Sequence, residues 1–132
     1  MVKEVVEYLK NSEELKDKEI IIDYMPSQTG TFCLKAKKFE PVAERYVDGG
    51  EIRRYECTFC MREAYTFDNL QNGENCRILE ALCECIEKWE KEGFYPKGQK
   101  FVKVEVTSGI YIISNDVSTA EYALDIRFLY IK

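Results

Sequence analysis

An alternating run of apolar and polar side chains occupies residues 51–65, EIRRYECTFCMREAY. Its apolar members are spaced two apart, at Tyr55, Cys57, Phe59 and Met61. The positions between them are polar or charged, at Arg54, Glu56, Thr58 and Arg62. Side chains two apart share one face of a strand. We therefore predict a long strand with one buried face and one solvated face.

Turn signals flank this strand on the N-terminal side. Asp48-Gly49-Gly50 directly precedes it and predicts a β-hairpin, because these residue types tolerate the positive φ of tight turns. Further alternating or Ile-rich runs lie between residues 19 and 47. The sequence therefore predicts that the long strand pairs with strands that precede it.

Two helical patterns accompany the strands. In residues 75–92 the apolar positions follow a helical period, at Leu79, Leu82, Cys83, Ile86 and Trp89. Gly93 predicts the end of this helix and Asp68 is a candidate N-cap. A shorter stripe near the N-terminus consists of Val2, Val5, Val6 and Leu9. Both patterns predict helices that bury one face.

Alternation returns after residue 99 and completes the predicted fold. Val102, Val104 and Val106 are expected to point inward, and Thr107-Ser108-Gly109 predicts a bulge or bend. A last long strand alternates through Tyr122–Tyr130. The predicted class is α+β, in the order α-β-β-β-α-β-β, with a mostly antiparallel sheet and the helices packed on one of its faces. The 132 residues predict a single domain, 1–132.

Composition excludes several classes of function. Lys and Arg number 19 against 24 Asp and Glu, a net charge of −5, which excludes a polycation that binds nucleic acid through its total charge. The absence of histidine removes the commonest general base and every histidine-containing zinc site. No apolar run reaches the ~18 residues that span a membrane. The N-terminus carries Glu4 and Glu7 and predicts no signal peptide.

The six cysteines include two close pairs, Cys57 with Cys60 and Cys83 with Cys85, whose spacing resembles that of metal ligands. Cys57 and Cys60 are three apart in a predicted strand and should point to opposite faces. Cys83 and Cys85 are two apart on a predicted helix and diverge as well. We therefore expect no metal, no cofactor and no disulfide, with Cys57 and Cys83 serving as small apolar residues on inward faces.

The charged residues offer no catalytic group. Glu84, Glu87 and Glu90 are expected on a solvated helix exterior. A second cluster is cationic and falls on the solvated face of the predicted sheet, at Lys35, Lys37, Arg54 and Arg62. This cluster fits either a small anion or partner patch or an ordinary solvated face. We expect no enzyme activity.

Several motifs in residues 40–132 resemble a family of small siphophage and prophage proteins of Gram-positive hosts. The motifs are Arg45-Tyr46-Val47-Asp48-Gly49, Arg54-Tyr55, Phe59, Arg62-Glu63, Tyr65, Asp68, Asn75, Trp89, Gly93, Pro96, Val104, Thr107-Ser108-Gly109, Tyr122, Ile126-Arg127 and Tyr130. Members of this family are minor capsid, minor tail or tail terminator proteins.

The resemblance implies a structural assembly protein. Tail terminators form a ring, commonly of six copies, on the head-proximal end of the tail tube. The implied partners are the chain itself, the tail tube protein and a head connector or head-completion protein, with DNA passing through the lumen. The implied location is the host cytoplasm during assembly and then the virion tail. A tail terminator and a head-completion protein are alike in size and charge, so both remain open here.

Closed rings need heterologous contacts between copies, and loops and sheet edges supply them. The predicted self-assembly or partner surface consists of Asp48, Gly49, Gly50, Arg54, Arg62, Thr107, Ser108, Gly109 and Arg127. The alternative is a small ligand-binding or regulatory α+β module that uses the polar face of the sheet. That alternative predicts a deep apolar pocket with convergent polar groups.

Overall fold

The computed structural model describes residues 1–65 and 73–132 of the chain. These residues form two helices of at least eight residues and seven strands, so the fold is α+β. In chain order they are α1 (Val2–Leu9), β1 (Ile20–Ile22), β2 (Thr31–Ala36), β3 (Val42–Arg45), β4 (Glu51–Ala64), α2 (Arg77–Glu92), β5 (Lys100–Val106), β6 (Tyr111–Asn115) and β7 (Thr119–Ile131).

The seven strands form one sheet with two long strands at its centre. The strand order is β1-β2-β4-β7-β5, with β3 also beside β4 and β6 also beside β7. β4 and β7 pair antiparallel from Ile52↔Ile131 to Ala64↔Thr119. Only the pairing of β1 with β2 is parallel among the described strands. The sheet is therefore mostly antiparallel, as the alternation predicts.

Both helices pack on one face of this sheet. The alternating apolar side chains of β4 and β7 meet the stripes of the two helices in one core. Tyr8 of α1 makes edge-on ring contacts with Trp89 of α2 and Phe128 of β7, at centroid distances of 4.9 and 6.1 Å. Aromatic pairs at this spacing add to the apolar burial. The predicted helix stripes are confirmed, and Tyr8 joins them.

The predicted boundaries hold at the end of α2. Gly93 adopts φ 71° and caps the helix in the left-handed region, where glycine carries no steric penalty. The candidate N-cap Asp68 lies outside the described residues. No helix in the described ranges is long and apolar enough to cross a membrane.

The strand count differs from the predicted order. Four strands precede α2 and three follow it, one more on each side. β1 and β3 are only three and four residues long. After α2, the predicted order counts β5 and β6 as one strand with a bend at residues 107–109, whereas the structure has two strands there.

The prediction that Val102 points inward is wrong. The pairing of β5 with β7 shifts register between Phe101 and Lys103. Phe101 is buried on the core side and Val102 is exposed. A bulge of this kind places one extra residue opposite its partner strand and reverses the alternation locally.

The bend predicted at Thr107-Ser108-Gly109 is confirmed. It separates β5 from β6, which both pair with β7. The Thr107 N–H donates to the Asp125 carbonyl at 2.9 Å, and the Asp125 N–H donates to Ser108 Oγ at 3.0 Å. The break in the ladder is therefore hydrogen-bonded to β7 through side chain and backbone.

Candidate functional site

The second face of the sheet is not the solvated surface that the sequence predicts. Residues 55–61 of β4 are buried without interruption, including Glu56 and Thr58. Three polar pairs oppose each other there across β4 and β7: Arg62 and Glu121, Thr58 and Asp125, and Glu56 and Arg127. Charges can be buried when each meets a partner. We call this set of six residues the polar face cluster.

Asp125 is the centre of the polar face cluster. Its carboxylate accepts hydrogen bonds from Thr58 Oγ1 at 2.8 Å, Tyr111 OH at 2.9 Å and Lys37 Nζ at 3.0 Å. Burial raises the pKa of this carboxyl, but the three hydrogen bonds outweigh it and hold the pKa below its ordinary value. Asp125 is therefore ionised at neutral pH, and the three hydrogen bonds hold its carboxylate in place.

Glu121 pairs with two further cations of the predicted patch, Lys35 and Arg62. Its carboxylate accepts from Lys35 Nζ at 2.5 Å and lies 3.8 Å from Arg62 Nη2. Arg62 also donates through Nε to the Pro26 carbonyl at 2.7 Å. These contacts hold both cations in place. Three of the four cations of the predicted anion patch, Lys35, Lys37 and Arg62, are thus internally paired.

Arg127 bridges two strands in the same way. Its guanidinium lies 3.3 Å from Glu56 of β4 and 3.2 Å from Glu105 of β5. Arg54 differs, because in the described part of the chain it forms no ion pair and its Nε is buried without a hydrogen-bond partner. Arg54 is therefore the one member of the predicted patch whose charge is not offset there.

The Asp48–Gly50 hairpin forms as predicted, at the tip of β3 and β4. The Tyr46 N–H donates to the Gly50 carbonyl at 2.8 Å, and the Gly50 N–H donates to Asp48 Oδ1 at 3.0 Å. Gly49 has φ 92°, which favours glycine. The loop exposes Val47 completely.

The structure distributes the predicted surface residues over three places. The hairpin lies at the end where β4 begins. Arg62 and Arg127 belong to the polar face cluster, and residues 107–109 lie on the far edge beside β7. Residues 107–109 contact the polar face cluster directly, since Ser108 Oγ accepts the Asp125 N–H, whereas the hairpin and Arg54 lie towards the start of β4.

Glu90 departs from the expected solvated helix exterior. Its Oε2 accepts the Val104 N–H at 2.8 Å, and its Oε1 accepts Tyr95 OH at 3.2 Å. This carboxylate ties α2 to the strand beside it. Glu84 and Glu87 are exposed, as predicted.

Cys57 and Cys60 do not form a reactive pair of thiols. Cys57 lies in the helix-side core, whereas Cys60 lies with Cys33 and Ala123 on the other face, so the predicted divergence is confirmed. Burial raises the pKa of the Cys57 thiol and raises that of Cys60 to about 12. A protonated thiol is a poor nucleophile. Residues 1–65 and 73–132 contain no group of three side chains arranged to hold a metal ion.

The sequence reasoning missed an exposed edge strand. All five residues of β6 are exposed, including Tyr111, Ile112 and Ile113. β6 pairs with β7 on one side, and its other side has no strand partner in the described ranges. None of its residues is charged. That uncharged run beside a bend is the signal that would have indicated it.

Beside β3 the described residues form a cleft that is open to solvent. Its volume is about 600 Å³, and four of the seven side chains that line it, in residues 40–45 and at Arg53, are charged. A ligand site of the kind that the alternative predicts is enclosed and mostly apolar.

Comparison with protein families and with curated proteins finds no relative of this chain. No protein-family model matches the chain, and no curated protein matches it either. The resemblance of residues 40–132 to phage assembly proteins therefore stays a prediction.

Proposed function

We propose that this chain is a structural subunit that assembles with copies of itself into a ring, like the phage tail terminators that residues 40–132 resemble. In that role the ring caps the head-proximal end of a tail tube and joins it to the head connector, and DNA passes through its lumen. The observation that carries the proposal is the exposed, uncharged edge of β6.

Exposed edges are normally protected against pairing with another chain. Proteins place lysine, proline or a bulge at such edges to prevent association. β6 has a register shift between Ile112 and Ser114, but it has no charge and no proline. Its three large apolar side chains are each about two-fifths exposed. An exposed apolar edge of this kind is typical of an association surface.

The buried polar face cluster supports the same function. Its carboxylates are paired with the cluster's own arginines or with Lys37, so they stiffen the sheet rather than present a catalytic group. A rigid sheet holds its edges at a constant angle, which a closed ring requires. The net charge of −5 also suits a lumen through which DNA slides without being held.

Sedimentation velocity over a wide concentration range tests the proposal, with and without the tail tube protein of the same phage. We expect a closed oligomer, formed alone or only on tube ends. A control variant is Val102→Lys on β5, where the side chain is about as exposed as the apolar side chains of β6. It should assemble like the unmodified chain.

A chain that stays monomeric at every concentration and ignores the tube protein contradicts the terminator function. Binding to a head connector instead would favour the head-completion alternative. A ring with a strongly basic lumen would contradict the DNA-sliding argument.

A further inference from the structure

We infer that the ring closes by antiparallel pairing of β6 of one copy with β1 of the next. This inference rests on the proposed function and names the two edges that meet. It follows from where the two strands lie in the sheet, from their charge and from their direction.

β1 and β6 end the same rows of the sheet. One row runs Ile21, Cys33, Cys60, Ala123, Tyr111 through the pairings of β1, β2, β4, β7 and β6. The next row runs Ile20, Phe32, Met61, Tyr122, Ile112. The two edges are therefore level with each other at opposite ends of one half of the sheet.

The edge strands of the two halves of the sheet differ in charge. In the half that contains β3 and β5, the edge strands carry charges at Glu44, Arg45, Lys100, Lys103 and Glu105. Such charges oppose strand addition. In the half that contains β1 and β6, the edge strands are Ile20-Ile21-Ile22 and the uncharged β6. Only this second half has two edges suited to pairing.

The strand directions set the geometry of the contact. β6 and β4 are both antiparallel to β7, so they run the same way. β1 is parallel to β2, which is antiparallel to β4. β1 therefore runs opposite to β6. A rotation about an axis along the strands preserves direction, so neighbouring copies would form an antiparallel ladder.

Charged residues flank both edges, namely Lys18, Glu19 and Asp23 beside β1 and Asp116 beside β6. Lys18 precedes β1 on the side of the rows that end at Ser114 and Asn115. Asp116 follows β6 directly. Both are exposed, and neither forms an ion pair with the residues that the structure describes. The proposed pairing brings Lys18 of one copy close to Asp116 of the next. Glu19 lies beside Lys18, and Asp116 accepts hydrogen bonds from the N–H groups of Ser118 and Thr119, so the strand directions and not these charges set the orientation.

The size of the contact predicts weak association in solution. β1 contributes three residues and β6 five. A ladder this short buries less than the roughly 1,000 Å² of a stable interface unless neighbouring surfaces join it. Assembly at high concentration or on a template is therefore expected.

Two lysine variants at equally exposed positions test the pairing. Ile113→Lys blocks β6 and Ile22→Lys blocks β1, at side chains 43% and 42% exposed, and Val102→Lys at 38% is the matched control. Each edge variant should weaken assembly at least about tenfold, as disruption of a central interface residue does. The control should assemble like the unmodified chain.

Mixing the two edge variants gives the decisive result. Each keeps one intact edge, so together they should form a one-to-one dimer that cannot grow. If β6 instead paired with β6, Ile22→Lys alone would still dimerise, and that result would overturn the inference. A mixture that stays monomeric at concentrations where the control assembles would overturn it as well.

The outcomes for the two proposals are distinguishable. An unmodified chain that never assembles contradicts the proposed function. Assembly that all three variants retain contradicts only the edge pairing. Circular dichroism and thermal melting check that each variant folds. If either edge variant loses its cooperative transition, Ile112→Lys replaces the β6 variant and Ile21→Lys the β1 variant, since Ile112 is exposed and Ile21 is partly exposed.

Discussion

Replacing Asp125 by asparagine should lower the free energy of unfolding by about 2 kcal/mol. The change removes the charge and keeps the size of the side chain. A hydrogen bond to a charged group contributes about 1.5–3 kcal/mol and a neutral one about 1 kcal/mol. The buried bond from Thr58 Oγ1, 2.8 Å long, should therefore lose about 1 kcal/mol. The bonds from Tyr111 and Lys37 are partly exposed and should lose about 0.5 kcal/mol each.

Urea denaturation at pH 7 measures this loss. Asp17→Asn is the control, because Asp17 is exposed and forms no hydrogen bond or ion pair within the part of the chain described. It should change stability by less than about 0.5 kcal/mol. A loss of the same size in both variants would refute the reasoning.

A double-mutant cycle isolates the bond between Thr58 and Asp125. Thr58→Val removes the hydroxyl and keeps the shape of the side chain. The coupling between this change and Asp125→Asn should be about 1 kcal/mol, since the two side chains are in direct contact. Additive effects would show that the buried hydroxyl does not stabilise the carboxylate.

Asp125→Asn should also change how the free energy of unfolding depends on pH. Burial raises the pKa of Asp125, but the hydrogen bonds from Thr58, Lys37 and Tyr111 lower it further, below the ordinary value of 3.8. The unfolded chain therefore takes up this proton first as the pH falls. The stabilisation is present above 3.8 and is lost as the pH falls through the lower folded value. The difference in the free energy of unfolding between the unmodified chain and Asp125→Asn should therefore narrow as the pH falls through that range. A difference that stays constant would show that the Asp125 carboxylate does not supply this stabilisation.

Two further predictions concern backbone and thiols. Gly93→Ala should cost about 1 kcal/mol in urea denaturation, because φ is 71° and the added Cβ meets no neighbour within 4 Å that could offset the strain. An unchanged midpoint would contradict the strain. At neutral pH a thiol reagent should leave Cys33, Cys57 and Cys60 unmodified in the folded protein, since all three are fully buried with raised pKa values, and should react first with the half-buried cysteines of residues 76–85. Equal rates for all six would show that the sheet opens readily.

Much of the architecture could be predicted because its signals are local. The alternation in residues 51–65 specifies which side chains share a face, and Gly93 specifies where a helix ends. Both depend on the intrinsic geometry of a strand or a helix. The hairpin at Asp48–Gly50 is predictable for the same reason.

The candidate site was not predictable in the same way. Alternation places Thr58 and Arg62 on one face, but it does not show that Asp125 and Glu121, more than 50 positions along the chain, lie opposite them. Charged residues next to solvent and charged residues buried as pairs have the same local pattern. For this reason the alternation predicts a solvated face where the structure has a buried one.

The amino-acid sequence by itself determined the α+β class, the helix that ends at Gly93 and the division of each long strand into two faces. Only the tertiary structure decided that the polar face is internally paired and that β1 and β6 are the exposed edges of one half of the sheet. Periodicity is a property of neighbours along the chain. Burial, pairing and edge position depend on strand register, which contacts between distant segments decide.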